Sequence, residues 1–240
     1  MTFEEIFEEL ARHNDRSVIW NNWLEYTIKA NLIYHKEKDT TRYHGNEEAY
    51  TNLINAWLNE LTIKLEKYPY YDILGEFYEE LIQSKSKKSS LGQVYTPPAV
   101  TNLLSEICFN ENKKYNDLIA NDPACGSART LLSAHVKSKG DVFVVGNDLD
   151  LTSCLMATLN LFTHGARGSI LHMDTLEGAF YKGWRVNKYL YHGIPVPHIE
   201  EIYSPMDAYD FIELKRHPDN DKKIIVDNAT ITRDVQSTLI

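Results

Sequence analysis

A regular alternation of short apolar runs and amphipathic stretches within residues 117–174 most constrains how this chain can fold. Three runs rich in apolar and β-branched residues predict strands at 117–121, 141–147 and 169–173. Between them, residues 129–138 and 151–164 have apolar side chains at helical intervals, and a glycine follows each stretch. Strands joined by single helices form a right-handed parallel βαβαβ unit, the nucleotide-binding half of a doubly wound sheet.

The first third of the chain has a different periodicity. Apolar residues across 3–82 recur at helical intervals, which predicts a set of helices before the sheet. Several aromatic residues lie on the apolar stripe without interleaved Lys or Arg, so we interpret them as core residues rather than base-stacking residues. They are Trp20, Trp23, Trp57, Tyr68, Tyr70 and Tyr71. The polar run 83–90 (QSKSKKSS) predicts an exposed linker. We therefore expect a helical region at 1–90 and a cofactor-binding domain at 91–240.

The alternation of predicted strands and helices weakens beyond Phe180. Residues 194–205 are rich in proline and predict a loop, whereas 223–227 (KIIVD) could form a further strand.

Composition restricts the functions that such a chain can perform alone. It has 25 Lys and Arg against 34 Asp and Glu, a formal charge of −9, and so lacks the positive field with which most proteins bind DNA unaided. The three cysteines form no close pair, which predicts free thiols in a reducing cytosol and no zinc or other metal site. No apolar run is long enough to span a bilayer, and the acidic N-terminus is unlike a signal peptide. We expect a soluble, cytoplasmic protein without a membrane partner.

The turn DPACGSA at 122–128 carries the strongest chemical signal. It lies between a predicted strand and a predicted helix, so that backbone N–H groups and the positive end of the helix dipole face one crevice. The carboxylate of Asp122 would repel a pyrophosphate and attract an ammonium group, which disfavours a dinucleotide.

Two further carboxylates are expected at the same crevice. Asp148 ends the second predicted strand, where it could accept hydrogen bonds from ribose hydroxyls, and Asp174 follows the third strand, near an adenine amine. S-adenosylmethionine, an amino acid joined to a nucleoside, fits these charges. The alternative is that Asp148 and Asp174 only cap helices.

Four segments resemble, in order, the cofactor-binding motifs of adenine-specific DNA methyltransferases, and in particular the modification subunit of type I restriction systems. They are LGQVYTPPAV (91–100), NDPACGSARTLL (121–132), GNDLD (146–150) and HMDTL (172–176). DILGEFYEEL (72–81) also resembles that family's entry into the catalytic domain. The resemblance implies an α/β, Rossmann-like S-adenosylmethionine-dependent methyltransferase fold with a mainly parallel sheet and an N-terminal helical subdomain. It also implies DNA as substrate and a separate specificity subunit as partner.

The resemblance implies roles for residues in each motif. The methionine end of the cofactor would be held by Tyr95, Thr96 and Pro97, with Gln93 nearby. The floor beneath the amino acid and sulfonium would be formed by Asp122, Ala124, Cys125, Gly126 and Ser127. Asp148 would bind the ribose and Asp174 the adenine. We interpret Cys125 as a small turn-filling residue rather than a nucleophile, and Ala128 stands where the family usually has glycine.

The catalytic motif of the family has no clear counterpart. That motif is an Asp or Asn, two prolines and an aromatic residue, which accept hydrogen bonds from the target amine and stack on the flipped base. The only weak candidates are Asp227 and Asn228, which lack the prolines and the ring.

Three hypotheses remain open. The chain is an adenine-N6 DNA methyltransferase that depends on a partner, a non-catalytic methyltransferase-like regulator or decoy acting on DNA or a restriction complex, or a methyltransferase for another substrate.

Overall fold

The structure, a computed structural model, describes residues 1–33, 43, 45–83, 96–109, 114–115, 118–192 and 194–209. The weak catalytic candidates Asp227 and Asn228, the possible strand at 223–227 and the cofactor candidates Gln93 and Tyr95 lie outside these residues, as does the predicted boundary at 90/91. The division into two domains therefore stays a prediction.

The N-terminal region is helical, as predicted. Its helices are α1 (Phe3–Ala11), α2 (Arg16–Ala30), α3 (Glu47–Leu65) and α4 (Ile73–Phe77), and a π-helical turn (Tyr78–Ile82) continues α4. Side-chain caps mark the starts of α1 and α2. Thr2 and Glu5 form a reciprocal capping box at α1, and Asp15 accepts a hydrogen bond from the Val18 N–H at α2.

Aromatic side chains form the centre of this region. Phe3 stacks on Phe77 with ring centroids 4.4 Å apart, and Trp23 contacts Phe3 at 5.0 Å and Trp57 edge-on at 5.8 Å. Trp20, Trp23 and Trp57 are buried, which confirms their interpretation as core residues. The same interpretation is wrong for Tyr68, which is 51% exposed, whereas Tyr70 and Tyr71 are partly buried against the core. This core is continuous with the apolar residues beneath the sheet.

The second half of the chain builds a five-stranded sheet in the order β1-β2-β3-β4-β7. Its strands are β1 (Ile119–Asp122), β2 (Phe143–Asp148), β3 (Gly168–Asp174), β4 (Ala179–Val186) and β7 (Ile199–Ile202). The short strands β5 (Leu190–Tyr191) and β6 (Ile194–Pro195) form a separate antiparallel pair. Three helices accompany the sheet: α5 (Pro98–Cys108), α6 (Arg129–Lys137) and α7 (Leu151–Thr163).

β1, β2 and β3 are parallel neighbours, joined by α6 and α7. The predicted α/β class, a Rossmann-like parallel unit preceded by helices, is therefore confirmed. β4 and β7 extend the sheet in the antiparallel direction.

The prediction of a loop over residues 194–205 is wrong at two places. Ile194–Pro195 pairs with Leu190–Tyr191, and Ile199–Ile202 is a strand of the main sheet. Ile199 and Ile202 are buried, whereas the glutamates between them are half-buried. The prolines hid this pattern because they flank the strand without interrupting its hydrogen bonds to β4.

A buried asparagine closes the carboxyl end of α7. The Asn187 amide Nδ2 donates to the carbonyls of Leu161 (3.1 Å), Phe162 (3.1 Å) and Ala166 (3.0 Å). Asn187 has a positive φ of 53°, a conformation that asparagine tolerates better than most residues. Within the described part of the chain, no helix is both long and apolar enough to cross a membrane.

Candidate cofactor-binding site

The carboxyl ends of three parallel strands meet at one edge of the sheet, as the sequence predicts. β1 ends at Asp122, β2 at Asp148 and β3 at Asp174, and all three side chains are partly exposed. The hydroxyl of Thr175 donates to the Pro123 carbonyl at 3.1 Å, which links the end of β3 to the turn after β1.

The turn after β1 is held against the end of β2 by hydrogen bonds. The Gly126 N–H donates to Asp148 Oδ2 at 2.8 Å, and the Cys125 N–H donates to the Asn147 carbonyl at 2.9 Å. Inside the turn, the Ala128 N–H donates to the Cys125 carbonyl at 2.8 Å. The turn therefore has a defined position over the tip of the neighbouring strand.

Two residues of the turn have left-handed backbone conformations. Gly126 has a φ of 53° and Ala128, just before α6, a φ of 72°. Glycine adopts this conformation at little cost, whereas alanine pays about 1–2 kcal/mol for it. This explains in physical terms why glycine would suit position 128.

Asp148 has the central position among the three carboxylates. Besides its bond to Gly126, its Oδ1 accepts a hydrogen bond from the Asp150 N–H at 2.9 Å. Burial raises the pKa of Asp148, while these N–H donors act in the opposite direction. A carboxylate has about four acceptor positions, so Asp148 retains capacity for hydroxyl donors from a ligand.

The other two carboxylates close local turns. Asp122 accepts hydrogen bonds from the Ala124 N–H (3.1 Å) and from the Thr130 hydroxyl. Asp174 Oδ1 accepts from the N–H groups of Leu176 (2.9 Å) and Glu177 (3.0 Å).

Helix capping is not the role of Asp148. The N-cap of α7 is Asp150, whose side chain accepts from the Ser153 N–H at 2.9 Å. The cap alternative is therefore wrong for Asp148, since its side chain bonds to the turn of the neighbouring strand. Asp174 precedes the turn into β4, with no helix between them.

Cys125 is a residue of the turn, and it is buried. Burial raises the pKa of its thiol well above the ordinary value, so the reactive thiolate is disfavoured. A Cβ atom at Gly146 would lie 2.8 Å from Cys125 Sγ, so glycine in β2 makes room for the sulfur. These contacts agree with the interpretation of Cys125 as a space-filling residue.

The segment that carries Thr96 and Pro97 lies next to α6. Pro97 is the N-cap residue of α5, and the Thr96 carbonyl accepts a hydrogen bond from Arg129 Nη1 at 2.9 Å. This bond joins Thr96 to the first residue of α6.

Sequence reasoning missed Asp72, which lies at the start of α4. Its Oδ1 accepts hydrogen bonds from the Gly75 N–H (2.9 Å) and Asn160 Nδ2 (2.7 Å). Its Oδ2 accepts from the Ser127 hydroxyl and pairs with Arg129 Nη2 at 2.9 Å. The signal that could have found it was the segment DILG, where an Asp precedes a Gly by three residues at a helix start.

A cavity of about 540 Å³ adjoins this polar cluster. Its wall includes Tyr70, Asp72, Pro98, Asn102 and Arg129. Asp122, Asp148 and Asp174 do not line it. The cavity therefore lies beside the Thr96 segment rather than over the strand tips. Among the residues described, no group of three or more His, Cys, Asp or Glu side chains could hold a metal ion.

Part of the chain that contains this site matches a known protein family. Residues 70–187 match the family described as N-6 DNA Methylase. The methyltransferase subunit of a type I restriction-modification system from Streptococcus thermophilus is a similar solved structure, with 22% sequence identity and a TM-score of 0.32. The match covers 68% of this chain and 36% of that subunit, so the chain spans about a third of the subunit's length. No curated protein matches the chain.

Proposed function

We propose that this chain, which over residues 70–187 belongs to an N6 DNA methyltransferase-like family, binds S-adenosylmethionine at the ends of β1, β2 and β3 and transfers its methyl group to adenine in DNA. The observation that carries the proposal is the hydrogen bond of 2.8 Å between Gly126 N–H and Asp148 Oδ2. It brings the turn and the carboxylate that follows β2 together at one edge of the sheet.

The charges at this edge suit that cofactor. In the proposed mode, Asp148 accepts hydrogen bonds from the ribose hydroxyls and Asp174 from the adenine amine. Asp122, Ala124, Cys125, Gly126 and Ser127 form the floor beneath the amino acid and sulfonium. Thr96 and Pro97, with Gln93 and Tyr95, hold the methionine end. When bound, S-adenosylmethionine supplies an electrophilic methyl group.

The proposal includes partners. With a net charge of −9, the chain carries no general attraction for phosphate. We therefore propose that a separate specificity or partner subunit supplies most DNA contacts within a cytoplasmic restriction-modification complex. Asp227 and Asn228 are the residues we propose as hydrogen-bond acceptors for the target amine.

One observation favours a second candidate, a non-catalytic regulator or decoy that binds the cofactor. After Asp174 the chain enters antiparallel β4, and the sequence beyond it contains no polar residue followed by two prolines and an aromatic residue. This candidate shares the cofactor site and differs in the transfer step.

Calorimetric titration with S-adenosylmethionine tests the cofactor site. Asp148→Ala is expected to weaken affinity by roughly ten- to a hundredfold, about 1.5–3 kcal/mol, because hydrogen bonds to a charged acceptor are lost. Asp15→Ala removes an equal charge at the N-cap of α2, where the carboxylate accepts from the Val18 N–H, and should leave the affinity unchanged. Absence of binding by the wild-type chain would overturn the proposal.

Transfer of a radiolabelled methyl group to unmethylated DNA separates the two candidates. Incorporation into adenine, alone or with the partner subunit, supports the enzyme, and a double substitution of Asp227 and Asn228 by Ala should abolish it without reducing cofactor binding. Cofactor binding without incorporation under both conditions would favour the regulator.

A further inference from the structure

We infer that Asp72 is a positioning residue through which the N-terminal helices hold both sides of the proposed cofactor site. This inference rests on the proposed function, because it concerns the turn and the Thr96 segment assigned above. The Asp72 side chain lies outside the βαβαβ unit and touches no proposed ligand position directly.

The first step is the burial of a charge. Asp72 is only 6% exposed, and its Oδ2 lies 2.9 Å from Arg129 Nη2 and 3.0 Å from Arg129 Nε. A buried ion pair gives little net stability over an apolar pair, but removing one of its two residues leaves the other as an uncompensated charge inside the protein. The position of Asp72 therefore strongly restricts the position of Arg129.

The second step is the geometry of the guanidinium. Arg129 donates to Asp72 through Nε and Nη2, and its remaining group Nη1 donates to the Thr96 carbonyl at 2.9 Å. Because the guanidinium is planar and rigid, these bonds fix Thr96 relative to Asp72.

The third step concerns the turn. The Ser127 hydroxyl donates to Asp72 Oδ2, and Asn160 Nδ2 donates to both Asp72 Oδ1 (2.7 Å) and the Ser127 carbonyl (2.8 Å). Ser127 is 1% exposed. One carboxylate thus holds the turn directly and the Thr96 segment through Arg129.

Gly75 is needed to place that carboxylate. A Cβ atom at position 75 would lie 2.8 Å from Asp72 Cγ and still closer to its Oδ2. Real Cβ atoms do not make such contacts, so any larger residue displaces the Asp72 side chain. This accounts for the glycine three positions after Asp72 in the DILG segment.

The test measures affinity and local opening separately. Asp72→Asn keeps the shape but removes the charge, and it is expected to weaken S-adenosylmethionine binding at least about tenfold, as loss of a charge-assisted contact would. Gly75→Ala keeps the charge of Asp72 but displaces its carboxylate, so it should act in the same direction. The matched control is Asn21→Ala, which breaks a hydrogen bond of 2.9 Å between α2 and Thr152 of α7, and which should leave affinity unchanged.

A double substitution distinguishes positioning from stability alone. Asp72→Asn with Arg129→Gln removes both charges of the ion pair and should recover much of the stability lost in Asp72→Asn. Affinity should stay low, since the link to Thr96 is still missing. Recovery of affinity together with stability, or wild-type affinity in Asp72→Asn below its unfolding temperature, would overturn the inference.

Hydrogen exchange of the free protein tests the same link without the cofactor. In Asp72→Asn, amides of the turn at 122–128 should exchange faster than in the wild type, whereas in Asn21→Ala they should not. If these amides exchange at the wild-type rate in Asp72→Asn, the positioning role is overturned even if the wild type binds the cofactor. Faster exchange in a protein that fails to bind would overturn the proposed function and leave the positioning of the turn by Asp72 standing.

Discussion

The N-terminal helices pack around aromatic rings, whereas the turn at the strand tips is held by hydrogen bonds to carboxylates. In the helical region, Trp23, Trp57 and Phe3 make ring contacts at 5.0–5.8 Å. The turn after β1 donates hydrogen bonds to Asp148, at the end of β2, and to Asp72, at the start of α4. Asp72 also accepts a hydrogen bond from Asn160, which is 88 residues away in the sequence.

This difference predicts how each region responds to substitution. Apolar contacts are individually weak and numerous, so a helical core loses stability in proportion to the atoms removed. A buried carboxylate has a few directed contacts, and one change disturbs all of its donors at once. Stability should therefore depend most on the helices, and affinity for the proposed cofactor on the carboxylates.

The largest expected loss of stability comes from the aromatic core. Trp57→Ala removes a side chain that is 1% exposed and should lower the free energy of unfolding by about 3–5 kcal/mol. Leu58→Ala, at the next position of α3 and 39% exposed, is the matched control and should cost far less. Urea denaturation monitored by circular dichroism measures both, and similar losses would contradict the contrast between the regions.

An intermediate effect is expected from pH, through a histidine of α6. Burial lowers the pKa of His135 to about 4, from 6.5. Its folded pKa lies below the unfolded value, so the unfolded chain binds the proton first as the pH falls. Stability is therefore complete above about pH 6.5 and is lost progressively towards pH 4, by an amount on the order of 2–3 kcal/mol.

The matched variant for this measurement is His135→Gln, which cannot titrate. Denaturation midpoints at several pH values from 7.5 to 4.5 should fall more steeply in the wild type than in the variant. Parallel curves would show that His135 does not carry the effect. His164, whose pKa burial also lowers, remains in both proteins. Its charge contributes to the lowered pKa of His135, so the difference between the curves includes this interaction.

The smallest effect is expected from a polar contact in the helical region. Asp15→Ala removes the cap of α2 and should cost about 1 kcal/mol of stability. Because the Asp15 carboxylate accepts its hydrogen bond from Val18 of the same helix, affinity for the proposed cofactor should not change. A loss of affinity would mean that the two regions are coupled through more than the Asp72 contacts.

The sequence predicted those parts of the fold whose patterns are local. The β-branched runs and helical spacing predicted β1 to β3, α6 and α7 within a few residues, because burial on one face imposes its own period. β4 was not recognised, since Ala179–Val186 mixes a glycine, a lysine and an arginine with its apolar residues. Its place beside β3 depends on tertiary pairing.

The part of the site at the strand ends was also predictable from the sequence. The positions of Asp122, Asp148 and Asp174 follow from the rule that parallel strands end at one edge. Asp72 could not be placed because its donors Ser127 and Asn160 are 55 and 88 residues away. A local sequence pattern contains no information on contacts between residues so far apart in the sequence.

The cap supplied by Asn187 has a consequence for folding during synthesis. Two of the carbonyls it closes, those of Leu161 and Phe162, precede it by 26 and 25 residues. During synthesis the last turn of α7 leaves the ribosome well before its cap, so those carbonyls stay hydrated until the next hairpin docks. Final closure of this helix end therefore waits for the chain through β4.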